Sequence, residues 1–292
     1  MSSTSIQSNP QINLERPIFG ITTVYNEAMC VDAVIDSIAK WKSYGAFGSN
    51  LKEWIFIDDE SNLDNSCQRL EIAALKRSFI TTLKIHHSGK ATAYKKGAEY
   101  LIKKYPNLKD AIIMQVDADI LRLNPKHFDS LIHGLLKPGR IASMAFVPSR
   151  TSMGLHFRRV LTRIAARNNF SITGQRAYYW DTMVDAIPQI TELTGFGLED
   201  LLNNCLKEKF KRKIKGKKFK QCIATIQWVD VKHITNQEKQ ERYMERVMPK
   251  RHILLRPISF IASGFHYLLI GFQHMFGFLF RRGGKNRSKR SN

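Results

Sequence analysis

Short apolar runs rich in β-branched residues alternate with amphipathic stretches, and this alternation restricts the chain to few architectures. The runs are IFGITTV (18–24), WIFID (54–58), TLKIHH (82–87), AIIMQVD (111–117) and SMAFVPS (143–149). Helix-like segments lie near 28–42, 64–79, 91–104, 125–136 and 152–167. Apolar runs too short for helices, each followed by an amphipathic stretch, are the pattern of βαβ units. Such units build a mostly parallel sheet covered by helices on both faces. The sequence therefore predicts an α/β fold of Rossmann-like type. Ligands of these sheets sit at the carboxyl ends of the strands. Polar clusters fall there: YNE after the first run, DDES after the second and DAD after the fourth. One more strand is expected near 223–233.

Charge separates the body from two segments. The formal net charge is +21, of which the run 207–220 and the tail 281–292 carry +14. Such a surface expects a polyanion: nucleic acid, anionic lipid or a phosphorylated substrate. No nucleic-acid motif accompanies it, so no nucleic-acid partner is expected. Cys30, Cys67, Cys205 and Cys222 form no C-x-x-C pair and no zinc spacing, which predicts neither a structural zinc nor a disulfide framework. Residues 1–16 lack a charged start followed by an apolar run and read as a flexible lead rather than a secretory signal.

Beyond the last expected strand the composition shifts. Residues 236–252 are charged and helix-like, and 258–280 contain no charged residue. An apolar stretch of that length is long enough to cross a bilayer if helical. Ser259, Ser263, His266, Gln273 and His274 would share one stripe of that helix. Lys250, Arg251 and Arg256 flank it on one side, and Arg281 and Arg282 on the other. A single span would put one basic flank on the non-cytoplasmic side, so a re-entrant or surface-lying helix is favoured over a span, with a buried core helix as the alternative. The segment 253–292 is thus expected to hold the protein on the cytoplasmic face of a membrane with an anionic surface.

Six motifs, ITTVYNE (21–27), IDDESNLDNS (57–66), GKATAYKKG (89–97), QVDADI (115–120), ITGQRAYY (172–179) and GFGLEDLL (195–202), stand in the chain in that order. Their order and spacing resemble those of family 2 glycosyltransferases of the GT-A fold, over residues 17–235. The residues themselves suit that chemistry. An Asp-x-Asp at a strand end can hold a divalent cation bridging a diphosphate, and hard oxygen ligands suit Mg2+ or Mn2+. Asp117 and Asp119 form that pair. Asp58 and Asp59 close the second strand, where one carboxylate can accept from a base imide and the other can orient the loop or cap a helix.

The resemblance implies further roles. Asp119 would ligate the metal most directly, with Asp117 on the ribose or the metal. Thr23, Tyr25, Asn26 and Glu27 would cradle the nucleoside with Asp58 and Asp59, and Lys90 would lie over the nucleotide. Lys95 departs from the asparagine usual there. In the Glu199–Asp200 pair, Asp200 would be the general base of an inverting transfer and Glu199 would assist; both also suit the first turn of a helix electrostatically. His233 would complete the metal site or touch the diphosphate. Arg246 would pair with the leaving diphosphate, although the Gln and Trp of the processive members are absent around it. Gly174, Arg159 and Arg163 would shape the acceptor site; the stripe of Arg159, Arg163 and Arg167 is equally a solvated helix face.

The function expected is transfer of a sugar from a nucleotide-sugar donor, by default a UDP-sugar, to a hydroxyl of a lipid-linked or cell-envelope glycan. Direct glycosylation of a polyprenyl phosphate needs no base, which makes the ED pair an argument against it. The alternative of another class is a nucleic-acid-binding or non-catalytic GT-A-like membrane partner.

Overall fold

The computed structural model describes residues 16–146, 173–191, 194, 197–213, 219–228 and 230–233. The chain divides into two compact units, Met1–Ile234 and Thr235–Asn292, and every described residue belongs to the first. The expected extension over 236–292, and with it the apolar stretch 258–280, lies outside the described residues.

The elements follow the expected alternation: β1 (Ile18–Val24), α1 (Val31–Tyr44), β2 (Leu51–Asp59), α2 (Ser66–Lys76), β3 (Ile80–Ile85), α3 (Lys90–Lys104) and β4 (Ile112–Gln115). Next come β5 (Ile120–Leu121), α4 (Pro125–Leu136), β6 (Ala142–Phe146), β7 (Arg176–Tyr179), α5 (Trp180–Ala186), α6 (Leu198–Lys213), β8 (Ile223–Gln227) and β9 (Lys232–His233). Seven strands form one sheet in the order β3-β2-β1-β4-β7-β6-β8, and β5 pairs with β9 in a separate ribbon. Strands β3, β2, β1 and β4 are mutually parallel; β7 runs antiparallel between β4 and β6; β8 is parallel to β6.

Side chains alternate across the sheet, so each strand feeds two cores. Trp54 and Phe56 of β2, with Ile112 and Met114 of β4, pack on the α1, α2 and α4 side around Trp41 and Phe128. Ile55, Ile57 and Ile113 face the other side, against Tyr94, Leu101 and Trp180. That double burial is why the strands read as continuous apolar runs. Trp41, Trp54 and Phe128 meet edge-on or stacked at 5.2–6.4 Å between ring centroids, and truncating either indole would cost about 3–5 kcal/mol.

Local chemistry sets the ends. Asn124 caps α4 by accepting from the Lys126 N–H at 3.0 Å, its own N–H donates to His127 Nδ1, and Pro125 fills the first helical turn. Buried Asp129 accepts from Trp41 Nε1 (2.8 Å) and from the Ala46 and Phe47 N–H groups, fastening the turn after α1 to α4.

Two expectations change. The single strand over 223–233 is two: β8 ends at Gln227, and Lys232–His233 leave the main sheet to pair with β5. The strand β7 was not anticipated, because RAYY carries no β-branched residue and holds its place through pairing with two neighbours.

Candidate active site

The polar motifs converge at the carboxyl ends of β1, β2 and β4. Non-glycine residues with positive φ stand just past two of these ends, Asn26 (55°) after β1 and Glu60 (59°) after β2, and a third, Arg122 (66°), follows β5. Backbone strain of this kind gathers where a site demands a particular loop path.

The loop after β1 is sewn to the loop after β2. Asn26 accepts at Oδ1 from the Asn62 and Leu63 N–H groups (3.1 and 3.0 Å), and its own N–H donates to Ser61 Oγ. The Glu27 N–H donates to Ser66 Oγ (2.7 Å) and the Ala28 N–H to Asp64 Oδ2 (2.9 Å). Asn26 Nδ2 is buried and has no hydrogen-bond partner among the described residues. Thr23 lies in β1 opposite Ile57. Tyr25, 42% exposed, stacks on His87 with ring centroids 4.5 Å apart, so the two rings form an aromatic platform at the rim.

Asp58 and Asp59 divide the work between them. Asp58 is fully buried and accepts from the Ser61 N–H at 3.3 Å. The Cys67 thiol beside it is pushed up to about 11 by burial and by the Asp58 charge, which makes it inert at neutral pH. Asp59 accepts from the Ser88 and Gly89 N–H groups (2.8 and 3.0 Å) and lies 3.0 Å from His87 Nδ1. It therefore shapes the entry into α3, where Gly89 takes a φ of 84° that a side chain would resist.

Lys90 opens α3 and occupies the centre. Its Nζ donates to Asp117 Oδ1 (2.8 Å) and to Glu199 Oε1 (2.6 Å). Burial alone would lower its pKa, but the two carboxylates prevail and hold it above the ordinary lysine range. One ammonium thus joins the DAD turn after β4 to the first turn of α6. Asp117 accepts on its other oxygen from Gln175 Nε2 at 3.0 Å. Glu199 is 4% exposed while its neighbour Asp200 is exposed. Asp119 lies in the turn between β4 and β5, and Ile120 after it pairs with His233 across the β5–β9 ribbon. The late histidine thus stands one residue in register from Asp119.

Gly174, expected at the acceptor site, packs on the DAD turn: a Cβ there would lie 2.1 Å from both Asp117 carboxylate oxygens. Lys90, expected over the nucleotide, bridges two carboxylates. Arg159, Arg163 and Arg246 lie outside the described residues.

Several participants carried no sequence assignment. Gln175 and Arg176 lie inside the ITGQRAYY string, and Ser61, Asp64 and Ser66 inside IDDESNLDNS. Polar residues in a string whose neighbours already look functional are the signal that could have found them. His87 had no such signal.

No match is found among the curated proteins. Among solved structures, the chain is similar to glucosyl-3-phosphoglycerate synthase from Mycobacterium tuberculosis in complex with Mn2+, uridine diphosphate and glucosyl-3-phosphoglycerate. The TM-score is 0.53 at 19% identity, over 79% of this chain and 76% of that one. A second structure of that synthase, with Mn2+ and uridine-diphosphate-glucose, gives 0.52 at 18% identity over 79% and 76%. At these identities the likeness concerns the fold. The model of glycosyl transferase family 2 matches residues 21–188, more than half of the chain, and encloses the loops after β1, β2 and β4 together with Lys90, Asp117 and Gly174. By that match the chain is a member of glycosyl transferase family 2, a glycosyltransferase with a GT-A fold.

Proposed function

We propose that this glycosyltransferase takes a nucleotide-sugar donor, by default a UDP-sugar, and transfers the sugar with inversion to a hydroxyl of a lipid-linked or cell-envelope glycan. The observation that carries the reading is the Lys90 bridge, which brings a DAD carboxylate and the Glu199–Asp200 turn within reach of one ammonium. Donor chemistry and acceptor chemistry must meet at one anomeric carbon, and the bridge joins the residues suited to each.

The donor set suits a divalent cation. Asp119, in the turn whose next residue Ile120 pairs with His233, is the main candidate ligand with Asp117 beside it, and the carboxylate chemistry favours Mg2+ or Mn2+. When bound, the cation would neutralise the diphosphate and make it a better leaving group. The nucleoside would rest on the Tyr25–His87 platform near Asn26 and Asp58, where base stacking is worth roughly 1–3 kcal/mol.

The carboxylates have separate tasks. Glu199 is held by Lys90 and is ill placed to accept a proton, whereas Asp200 is exposed. The acceptor hydroxyl oxygen forms its bond to the anomeric carbon, the bond to the diphosphate breaks with its electron pair leaving on the nucleotide, and Asp200 takes the hydroxyl proton. The basic runs and 253–292 support a site of action at the cytoplasmic face of a membrane, where a lipid-linked acceptor is met. Among the described residues no helix is long and apolar enough to cross a membrane.

The test is transfer of labelled sugar from a UDP-sugar into a membrane-lipid extract by wild type and Asp200→Asn. Transfer should be lost in the variant while nucleotide binding persists; undiminished transfer would overturn the base assignment.

A further inference from the structure

We infer that Arg176 is a positioning residue that ties the Asp117 side of the site to helix α6 and so holds the Glu199–Asp200 turn in register with the DAD turn. The inference rests on the proposed roles of those carboxylates and adds a residue that the motifs left unassigned.

Arg176 opens β7, paired with Gln115 of β4 on one side and Met144 of β6 on the other. Its side chain is wholly buried. A guanidinium removed from water is costly unless its donors and its charge are answered. Here its donors are met from two sides, by the turn before β7 and by α6. Nε and Nη2 donate to the Thr173 carbonyl (2.9 Å from Nε), and Nη1 donates to Asn203 Oδ1 at 3.4 Å. Burial lowers its pKa, and Glu199, Tyr178 and Asp117 oppose that shift.

The first contact closes the turn 173–175. Thr173 Oγ1 also donates to the Ala145 carbonyl (2.6 Å) and accepts from the Gln175 N–H (3.2 Å). That turn sets Gly174 against the Asp117 carboxylate and Gln175 Nε2 on its second oxygen. The second contact lands on Asn203, four residues after Glu199 and therefore on the same face of α6. Lys90 joins the DAD turn itself to α6 from a partly exposed position, at 21% side-chain exposure; Arg176 joins the turn 173–175, which packs on Asp117, to α6 from within. A lysine at 176 would keep the charge but lose the planar fork that reaches two acceptors at once.

The test uses amide exchange in the intact protein, with Asn203→Ala to remove the α6 arm and Asn203→Asp to restore an acceptor there. In the free protein, Asn203→Ala should speed exchange across the site at 173–176 about tenfold, as expected for loss of one charge-assisted hydrogen bond, and Asn203→Asp should restore it. A cap or packing defect confined to α6 would leave 173–176 unchanged, and that result would overturn the inference. A second arm adds Mn2+ with UDP or GDP. Wild type should gain protection at 198–206, and Asn203→Ala should lose that gain while keeping nucleotide affinity; an undiminished gain would again overturn it. Failure of wild type to bind either nucleotide would count against the donor reading, and the free-protein arm would still decide the coupling. Arg176→Lys, if folded, should behave as Asn203→Ala does.

Discussion

Replacing Gly174 by alanine adds one methyl group at the most crowded point of the site. The new Cβ would sit 2.1 Å from both Asp117 oxygens, against the 3.4 Å at which ordinary contact begins, a shortfall of about 1.3 Å. Asp117 cannot rotate away freely, because Lys90 and Gln175 each hold one of its oxygens. Either the carboxylate or the turn 173–175 must move by about an ångström. A displacement of that size in a reacting constellation costs roughly a hundredfold in rate, or about 2.7 kcal/mol of transition-state stabilisation. The assay is release of nucleoside diphosphate with membrane-lipid extract as acceptor source, alongside thermal unfolding to register any loss of stability. Gly174→Ala should be folded, slowed roughly a hundredfold and weakened in Mn2+-dependent nucleotide binding. A rate within about twofold of wild type would refute the reasoning, because the Asp117 carboxylate would then tolerate a displacement the account says it cannot.

Three other perturbations probe the rest of the account. Lys90→Met leaves Asp117 and Glu199 without the ammonium that bridges them, and should destabilise the fold by about 3 kcal/mol. Urea titrations showing stability equal to wild type would contradict this. Tyr25→Ala should weaken nucleotide binding roughly tenfold by calorimetry, from loss of the stacking platform, and unchanged affinity would place the base elsewhere. Glu53 lies far from the motifs, nearly buried, and burial alone would raise its pKa; hydrogen bonds from Lys104, Thr81 and Tyr105 hold it below the ordinary carboxylate range instead. Its folded pKa is thus below the unfolded value of about 4.3, so its contribution is complete above that value and is lost as pH falls through the lower one. Glu53→Gln should therefore narrow toward wild type in stability below about pH 4, and a gap constant with pH would contradict the assignment.

The parallel half of the sheet was legible because both its faces are buried. Runs such as WIFID and AIIMQVD are apolar without interruption, and β1 to β4 appear where those runs stand. The antiparallel strand β7 was not, since its four residues owe their conformation to β4 and β6 on either side. The acidic members of the site were visible as strand-end clusters, and Asp117 and Glu199 do meet at Lys90 from distant parts of the chain. Their pairings were hidden. That Lys90 would bridge Asp117 to Glu199, the latter 109 positions along the chain from the lysine, follows from how α3 and α6 pack, which no local pattern encodes. The neighbour of Gly174 was hidden for the same reason: that its backbone lies against the Asp117 carboxylate depends on how the turn 173–175 meets the DAD turn.

The central claim is that the DAD turn receives a metal-bound nucleoside diphosphate. Calorimetric titration of the purified protein with UDP, GDP and CMP, with and without Mn2+, tests it directly when repeated on Asp119→Asn. The account predicts that one nucleotide binds, that binding requires Mn2+, and that the variant loses it while remaining folded. A folded wild type that binds none of the three, or a nucleotide bound equally well without Mn2+ and by Asp119→Asn, would contradict the claim.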